Sequence, residues 1–288
     1  MTKKQIVFFI VWSIILLGLV EQGITAPKIT VPSNIQDGVP FFVKVENTSP
    51  MSVILVWRNK QYVINPLQQN GMYISLAMLA LPVDTPSGKH SLLVIVNGKE
   101  SSYTLTGTKR TYRTQNLSVQ PNYVVPPQKE MAKINKDVAE RKAVLSTNSA
   151  TRMWSENQWV RPADGVLTSP FGARRVYNGQ PRNPHNALDF KAAVGDPIRS
   201  VEVGKVVFAG NQYFTGNTVY IDHGQGVITG YAHLSKINVK KGDMVKAGQV
   251  IGLAGATGRV TGPHLHFTMY AYGTAVDATQ LLVKEDSK

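Results

Sequence analysis

The sequence predicts a mainly β protein with one helix set between two β-rich parts. Three observations carry this. Short runs of β-branched and aromatic residues recur between Pro27 and Gly107, and glycine-punctuated apolar runs recur from Val166 onward. A helical apolar repeat is confined to a stretch near residues 127–146. The 288 residues suffice for two modest domains, and 43% hydrophobic against 17% charged residues excludes wholesale disorder.

At the N-terminus, "MTKKQIVFFIVWSIILLGLVEQGITA" opens with Lys3 and Lys4 before an apolar run from Ile6 to Val20. A basic segment followed by such a run is the pattern of a secretory signal. The run is shorter than the ~20 residues that span a bilayer comfortably. Ala26 suits the position before a cleavage site, whereas Ile24 and Pro27 suit their positions poorly. Residues 1–26 are therefore a signal peptide or an uncleaved N-terminal anchor. Either places the remainder outside the cytoplasmic membrane, in the periplasm or cell envelope.

Residues 27–107 carry "FFVKVEN", "SVILVW" and "LLVIVNGKESSYTL". In the last, Asn97-Gly98 sits between apolar runs, a strong hairpin signal. Several such strands in ~80 residues predict a small immunoglobulin-like β-sandwich. Its histidine, His90, is expected at a turn or surface. Residues 108–159 read as a linker, irregular at first. After Pro126-Pro127, Met131, Ile134, Val138 and Leu145 fall near a helical repeat and predict an amphipathic helix over about 127–146. Residues 160–283 form the second domain, whose runs "GKVVFAG", "NTVYIDHGQGVITGYAHL" and "QVIGLAGATG" predict short strands broken by glycine turns. His223 falls in one such turn, and His233 at the end of the following strand.

Lysine and arginine exceed aspartate and glutamate, 31 to 18, a net charge of +13. That excess suits polyanionic surroundings such as nucleic acid, anionic headgroups or an acidic wall polymer. No arginine-rich run with interleaved aromatics points to nucleic acid. The absence of cysteine excludes thiolate zinc ligands, a cysteine nucleophile and disulfides.

"TGPHLHF" places His264 and His266 at i and i+2, so an extended backbone aims both imidazoles at one face and Leu265 at the other. "PHNALDF" places His185 four residues before Asp189, a spacing at which one bent segment brings an imidazole and a carboxylate to one ion. These four are of the types that bind Zn²⁺. A catalytic zinc uses three protein ligands and leaves a fourth position open, which frees one of the four, together with His233, for other work.

Three stretches, "SPFGARRVYNGQPRNPHNALDF", "GNTVYIDHGQGVITGYAHLSKINVKKGDMVKAGQVIGLAGATGRVTGPHLHF" and the closing "VD", together resemble the lysostaphin/LytM-type M23 zinc metallopeptidases over about residues 160–280. The resemblance implies a twisted antiparallel β-sheet with an open groove holding one zinc ion per chain. It implies His185, Asp189 and His266 as metal ligands, with His264 and His233 facing water and substrate. His264 is assigned as base and His233 as stabiliser of developing charge. Ala187 stands where glycine is usual and Thr268 where a more polar residue often follows; neither removes a ligand.

The activity implied is zinc-dependent hydrolysis of peptide cross-links in peptidoglycan, of the D-alanyl, DD-endopeptidase type. The N-terminal domain is then a candidate contact to a cell-wall or membrane partner, and nucleic acid is not expected. The alternative is an inactive LytM-type activator of a wall amidase, a reading that the intact ligand set weakens. A lipoyl- or biotin-carrier reading of "VEVGKVVFAG" and "VKKGDMVKAGQVIG" fails for want of a lysine at a hairpin tip between the halves.

Overall fold

The structure, a computed structural model, describes residues 26–118, 125–156 and 158–283. The expected signal or anchor therefore lies outside the described residues, apart from Ala26. The fold is mainly β with antiparallel sheets. Among the described residues no helix is long and apolar enough to cross a membrane.

Two sheets make the N-terminal part. One runs in the order Lys28–Thr30, Pro40–Asn47, Met72–Ala80, Leu67–Gln69; the other runs Asn34–Gln36, Lys99–Thr108, Gly88–Val96, Val53–Trp57, Lys60–Ile64. Strict alternation of buried and half-buried residues along Pro40–Asn47 and Val53–Trp57 shows one face of each strand turned to a shared core. There Val43, Val45 and Leu79 meet Leu55, Leu92 and Val94. Asn97 (φ 50°) and Gly98 (φ 81°) both take the left-handed conformation that a two-residue hairpin turn of this type requires.

The strand Met72–Ala80 departs from alternation, being buried on both faces from Ser75 to Ala80. Ala77 and Leu79 face the N-terminal core, while Leu76, Met78 and Ala80 join Trp154, Trp159 and Phe171 in the core of the C-terminal part. The two parts thus share apolar burial rather than hanging on a tether. Polar contacts border the seam. Arg110 pairs with Asp277 at 2.9 Å, the Asp277 amide donates to the Gly38 carbonyl at 2.7 Å, and Arg174 pairs with Asp84.

The C-terminal part is built on one large antiparallel sheet. Its order is Leu167–Ser169, Leu188–Lys191, His264–Ala271, Val227–Leu234, Gly216–Asp222, Gly204–Gln212, Met244–Val245, with Thr274–Ala275 paired to the His264–Ala271 strand. Phe190, Tyr231 and Phe267 fill its buried face. A small second sheet joins Pro197–Arg199, Val250–Leu253 and Lys236–Ile237.

The helix spans Met131–Leu145 and buries Ile134 and Val144, whereas Val138 is exposed. Val144, with the expected Leu145 half-buried beside it, packs with Tyr220, Ile228 and Tyr270 on the outer face of the large sheet. The helix touches the sheet along a narrow line, so fewer positions need be apolar than a full stripe would supply. Another departure bears on the site. Within the segment expected to be irregular, Thr114–Leu117 forms a strand, parallel to Arg174–Tyr177. Its polar sequence carries no alternation, and the pairing is made by backbone groups, with Arg174 N donating to Arg113 O at 2.8 Å and Asn178 N to Leu117 O at 3.1 Å.

Trp154 is buried in the seam, against Phe42 and Trp159, with its indole nitrogen donating to the Gly224 carbonyl at 2.9 Å. Trp154→Ala is expected to cost about 3–5 kcal/mol. Urea unfolding should remain one transition at a lower midpoint, because both parts lean on the same core; a wild-type midpoint, or a transition that splits only in the wild type, would contradict the shared core.

Candidate metal centre

The His264–Ala271 strand lies between Leu188–Lys191 and Val227–Leu234. In that register Asp189 sits opposite His266, and Lys191 opposite His264, on one side; Ala232 sits opposite His266 on the other. Leu265 and Phe267 point into the core, at 0% and 1% exposure, which leaves His264 and His266 on the groove face. His185 arrives from a loop pinned at both backbone atoms: Gly172 N donates to His185 O at 2.7 Å, and His185 N donates to Ala173 O at 2.8 Å. Gly172 is held at φ +78°, and any Cβ there would strike the Tyr112 ring.

Three ligand atoms converge. His185 Nε2 lies 3.1 Å from Asp189 Oδ1, His266 Nδ1 lies 2.8 Å from the same oxygen, and the two nitrogens are 3.3 Å apart. A tetrahedral ion with ~2.0–2.1 Å bonds would set its ligand atoms about 3.3 Å apart, so the donors stand close to that spacing. Protonation fits as well. His185 Nδ1 faces the Pro170 carbonyl at 3.2 Å, an acceptor only, so Nδ1 carries the proton and Nε2 presents a lone pair. Burial foremost keeps the His185 pKa below its usual value, despite the pull of Asp189. Burial would raise Asp189, yet the neighbouring His185 and His266 hold the carboxyl well below the usual range. A neutral imidazole and an ionised carboxylate facing each other at 3.1 Å are both acceptors, an arrangement that a cation between them satisfies.

Two further histidines face the same space. His233, the penultimate residue of its strand, takes φ +63°, with its amide donating to Thr215 O and its Nδ1 donating to Thr257 O, both at 2.8 Å. His264 Nδ1 donates to Gly262 O at 2.9 Å. In both rings a backbone carbonyl takes the Nδ1 proton, leaving an Nε2 lone pair. The ring centroids of His233 and His264 are 4.9 Å apart, and those of His233 and His266 are 5.5 Å apart. Burial, then the charges of His266 and His264, push the His233 pKa down to about 3. His264 Nε2 lies 3.8 Å from Asp189 Oδ1.

All five side chains singled out in the sequence thus meet, while the other two histidines do not join them. His223 is fully buried, bonded through Nδ1 to Val203 O at 2.8 Å and through Nε2 to Thr229 Oγ1 at 2.7 Å, which makes it a structural bridge rather than a simple turn residue. His90 lies against Trp57 in the N-terminal part. Sequence reasoning passed over Arg175, whose Nη2 holds Asp189 Oδ2 at 2.7 Å, and the groove wall made by Gln115 and Leu117. Gln115 Oε1 accepts from Ser169 Oγ at 3.1 Å, and that hydroxyl lies 3.2 Å from His185 Nδ1. The groove has a volume of about 730 Å³.

Residues 183–278 match the family model described as peptidase family M23. The chain is 47% identical over 113 residues to the peptidoglycan DD-endopeptidase ShyA of Vibrio cholerae, covering 39% of this chain and 26% of that protein. It is 51% identical over 129 residues to the glycyl-glycine endopeptidase ALE-1 of Staphylococcus capitis, covering 44% and 33%. The chain thus spans about a quarter to a third of the length of these curated relatives. A crystal structure from Pseudomonas aeruginosa assigned to peptidase M23 is 29% identical with a TM-score of 0.66, over 85% of this chain and 95% of that one. That likeness takes in the N-terminal sheets as well as the groove.

His185, His223 and His233 all have lowered pKa values in the fold. The unfolded chain takes up protons near pH 6.5 and the folded chain does not, so stability falls as pH drops from about 6.5 toward 3. Each such histidine contributes a slope of up to ~1.4 kcal/mol per pH unit. Urea midpoints of the metal-free protein should decline through that window, and His233→Gln should flatten the decline. Identical slopes in the two proteins would show that His233 is not held neutral.

Proposed function

We propose, from the premise that this chain carries a domain of peptidase family M23, that it is a zinc-dependent endopeptidase hydrolysing peptide cross-links in peptidoglycan. The observation that carries the reading is the convergence of His185 Nε2, Asp189 Oδ1 and His266 Nδ1 within 3.3 Å of one another. The similarity to a stretch of ShyA, a protein named as a peptidoglycan DD-endopeptidase, supports the peptidoglycan substrate. The bond is assigned as the direct D-alanyl cross-link, in keeping with the DD-endopeptidase name of ShyA.

His185, Asp189 and His266 would hold one zinc ion. Bound there, zinc supplies Lewis acidity toward the scissile carbonyl and makes water a stronger acid. Arg175 clamps Asp189 Oδ2, which leaves Oδ1 for the ion and fixes the carboxylate plane. His264 takes the proton of the attacking water at Nε2 and passes it to the leaving amine as the C–N bond breaks. The imidazolium formed in between faces the Asp189 carboxylate. His233, held neutral with its Nδ1 proton on Thr257 O, presents its Nε2 lone pair to the same space and would stabilise the tetrahedral intermediate by accepting a hydrogen bond from the hydroxyl that the attacking water leaves on it.

The N-terminal signal or anchor, residues 1–26, would export the enzyme to the periplasm or cell envelope. The immunoglobulin-like sandwich, residues 27–107, would meet a wall or membrane partner on its outer strands; its inner strand Met72–Ala80 is committed to the peptidase core.

Purified protein with zinc should convert cross-linked muropeptides to un-cross-linked ones, read by mass spectrometry, and His185→Ala or chelation should abolish this. Sacculi that yield no zinc-dependent product would refute the endopeptidase reading. His264→Ala should keep stoichiometric zinc while kcat falls roughly 10²–10⁴-fold. Arg175→Ala should weaken zinc about 10–100-fold in a competing-chelator titration, with Arg175→Lys weakening it less.

A further inference from the structure

The groove has an uneven charge. Among the described residues that line it Asp189 is the only acid, and Arg175 and three histidines surround that carboxylate. A second guanidinium, Arg259, lines the same groove five residues before His264. Its carbon lies 4.4 Å from the centre of the Phe214 ring and 5.5 Å from that of Tyr177, and its amide donates to Phe214 O at 2.8 Å. Two aromatic rings and a backbone bond thus hold a planar, permanently charged donor in place before substrate arrives. Arg175 and Arg182 stand near enough to act on it; with burial first, their charges lower its pKa from the usual arginine value. Like charges gathered in one groove, with a single and already engaged acid, suit an anionic group on the incoming substrate.

The chemistry of the cross-link supplies a candidate. This step rests on the peptidoglycan reading above. In a direct cross-link built on a diamino diacid, the carbon bearing the acylated amine also carries a free carboxylate. That carboxylate lies one carbon from the nitrogen that leaves on hydrolysis. A glycine bridge, or a cross-link built on a diamine without the second acid, has no anion there. We infer that Arg259 is a specificity-determining residue that binds the carboxylate on the leaving-amine carbon, and that the groove selects diamino diacid cross-links over uncharged ones. A guanidinium takes a carboxylate through two parallel hydrogen bonds, so replacing the carboxylate with a carboxamide removes both the charge and one acceptor.

The test compares two cross-linked muropeptide dimers that differ only in whether this carboxyl is free or amidated, cleaved by the zinc-loaded full chain. The wild type is expected to show a kcat/KM at least about tenfold higher for the free acid. In Arg259→Gln the ratio of the two substrates should collapse toward one, and in Arg259→Lys it should be intermediate. Melting temperature and zinc content of each variant separate a lost contact from a lost fold. Equal wild-type rates on the two dimers overturn the inference and leave the endopeptidase reading standing. A tenfold preference that persists in folded Arg259→Gln also overturns it, because the carboxylate is then read elsewhere. Cleavage of neither dimer by the wild type overturns the endopeptidase reading and takes the inference with it.

Discussion

The site depends on a register: Asp189 lies opposite His266 where Leu188–Lys191 pairs with His264–Ala271. Side chains alternate along both strands, so a slip of one residue in either strand would turn Asp189, or both histidines, into the core and bring Phe190, or Leu265, to the groove. Apolar burial prevents that slip. Leu188 and Phe190 on one strand, and Leu265 and Phe267 on the other, are all buried in the same core. The hydrophobic effect that stabilises the sheet therefore also sets a spacing of 2.8 Å between His266 Nδ1 and Asp189 Oδ1. No dedicated scaffold for the ion is needed beyond the strand pair and the loop that delivers His185.

That loop ties the site to the rest of the molecule. His185 is fixed through its backbone to Gly172 and Ala173, and Gly172 packs closely against Tyr112. Tyr112 in turn donates its hydroxyl to the Asp37 carbonyl at 2.8 Å, in the N-terminal part. Asp37 is fully buried and accepts from the amides of Arg110 (2.6 Å) and Asp84 (2.7 Å). A path of direct contacts thus runs from a buried N-terminal carboxylate to a ligand loop. The strand Thr114–Leu117 follows immediately in sequence and forms one wall of the groove, with Gln115 bonded to Ser169 beside His185. The N-terminal part therefore contributes to the shape and rigidity of the groove.

How much of this was legible follows from which contacts are local. His264 and His266 declare themselves by a two-residue spacing on a strand, and His185 with Asp189 by a four-residue spacing, because each pair is set by one backbone segment. Residue type alone grouped the two pairs and set His233 beside them; the resemblance to M23 peptidases picked out His185, Asp189 and His266 as the ligands. Arg175 and Arg259 gave no such signal. An arginine in a polar stretch looks like any solvated cation, and only the tertiary fold brings Arg175 to Asp189 and Arg259 to the rings of Phe214 and Tyr177. The strand Thr114–Leu117 was equally silent, since backbone hydrogen bonds leave no mark on residue choice. The double burial of Met72–Ala80 could be read from its nearly unbroken apolar run, but the sequence does not say what covers the second face.

The charge pattern of the groove follows from the same economy. The candidate metal centre has a single carboxylate, Asp189, and the imidazoles of His185 and His266 complete the donor set. Burial is what permits that. It holds His185 and His233 in the neutral form, so they offer lone pairs where exposed histidines would begin to carry charge of their own near neutral pH. Among the described residues, the groove lining then holds two arginines, Arg175 and Arg259, and one carboxylate, Asp189. One carboxylate among the imidazoles adds little negative charge to the groove lining, which is the balance that the proposed binding of a metal beside an anionic wall fragment would require.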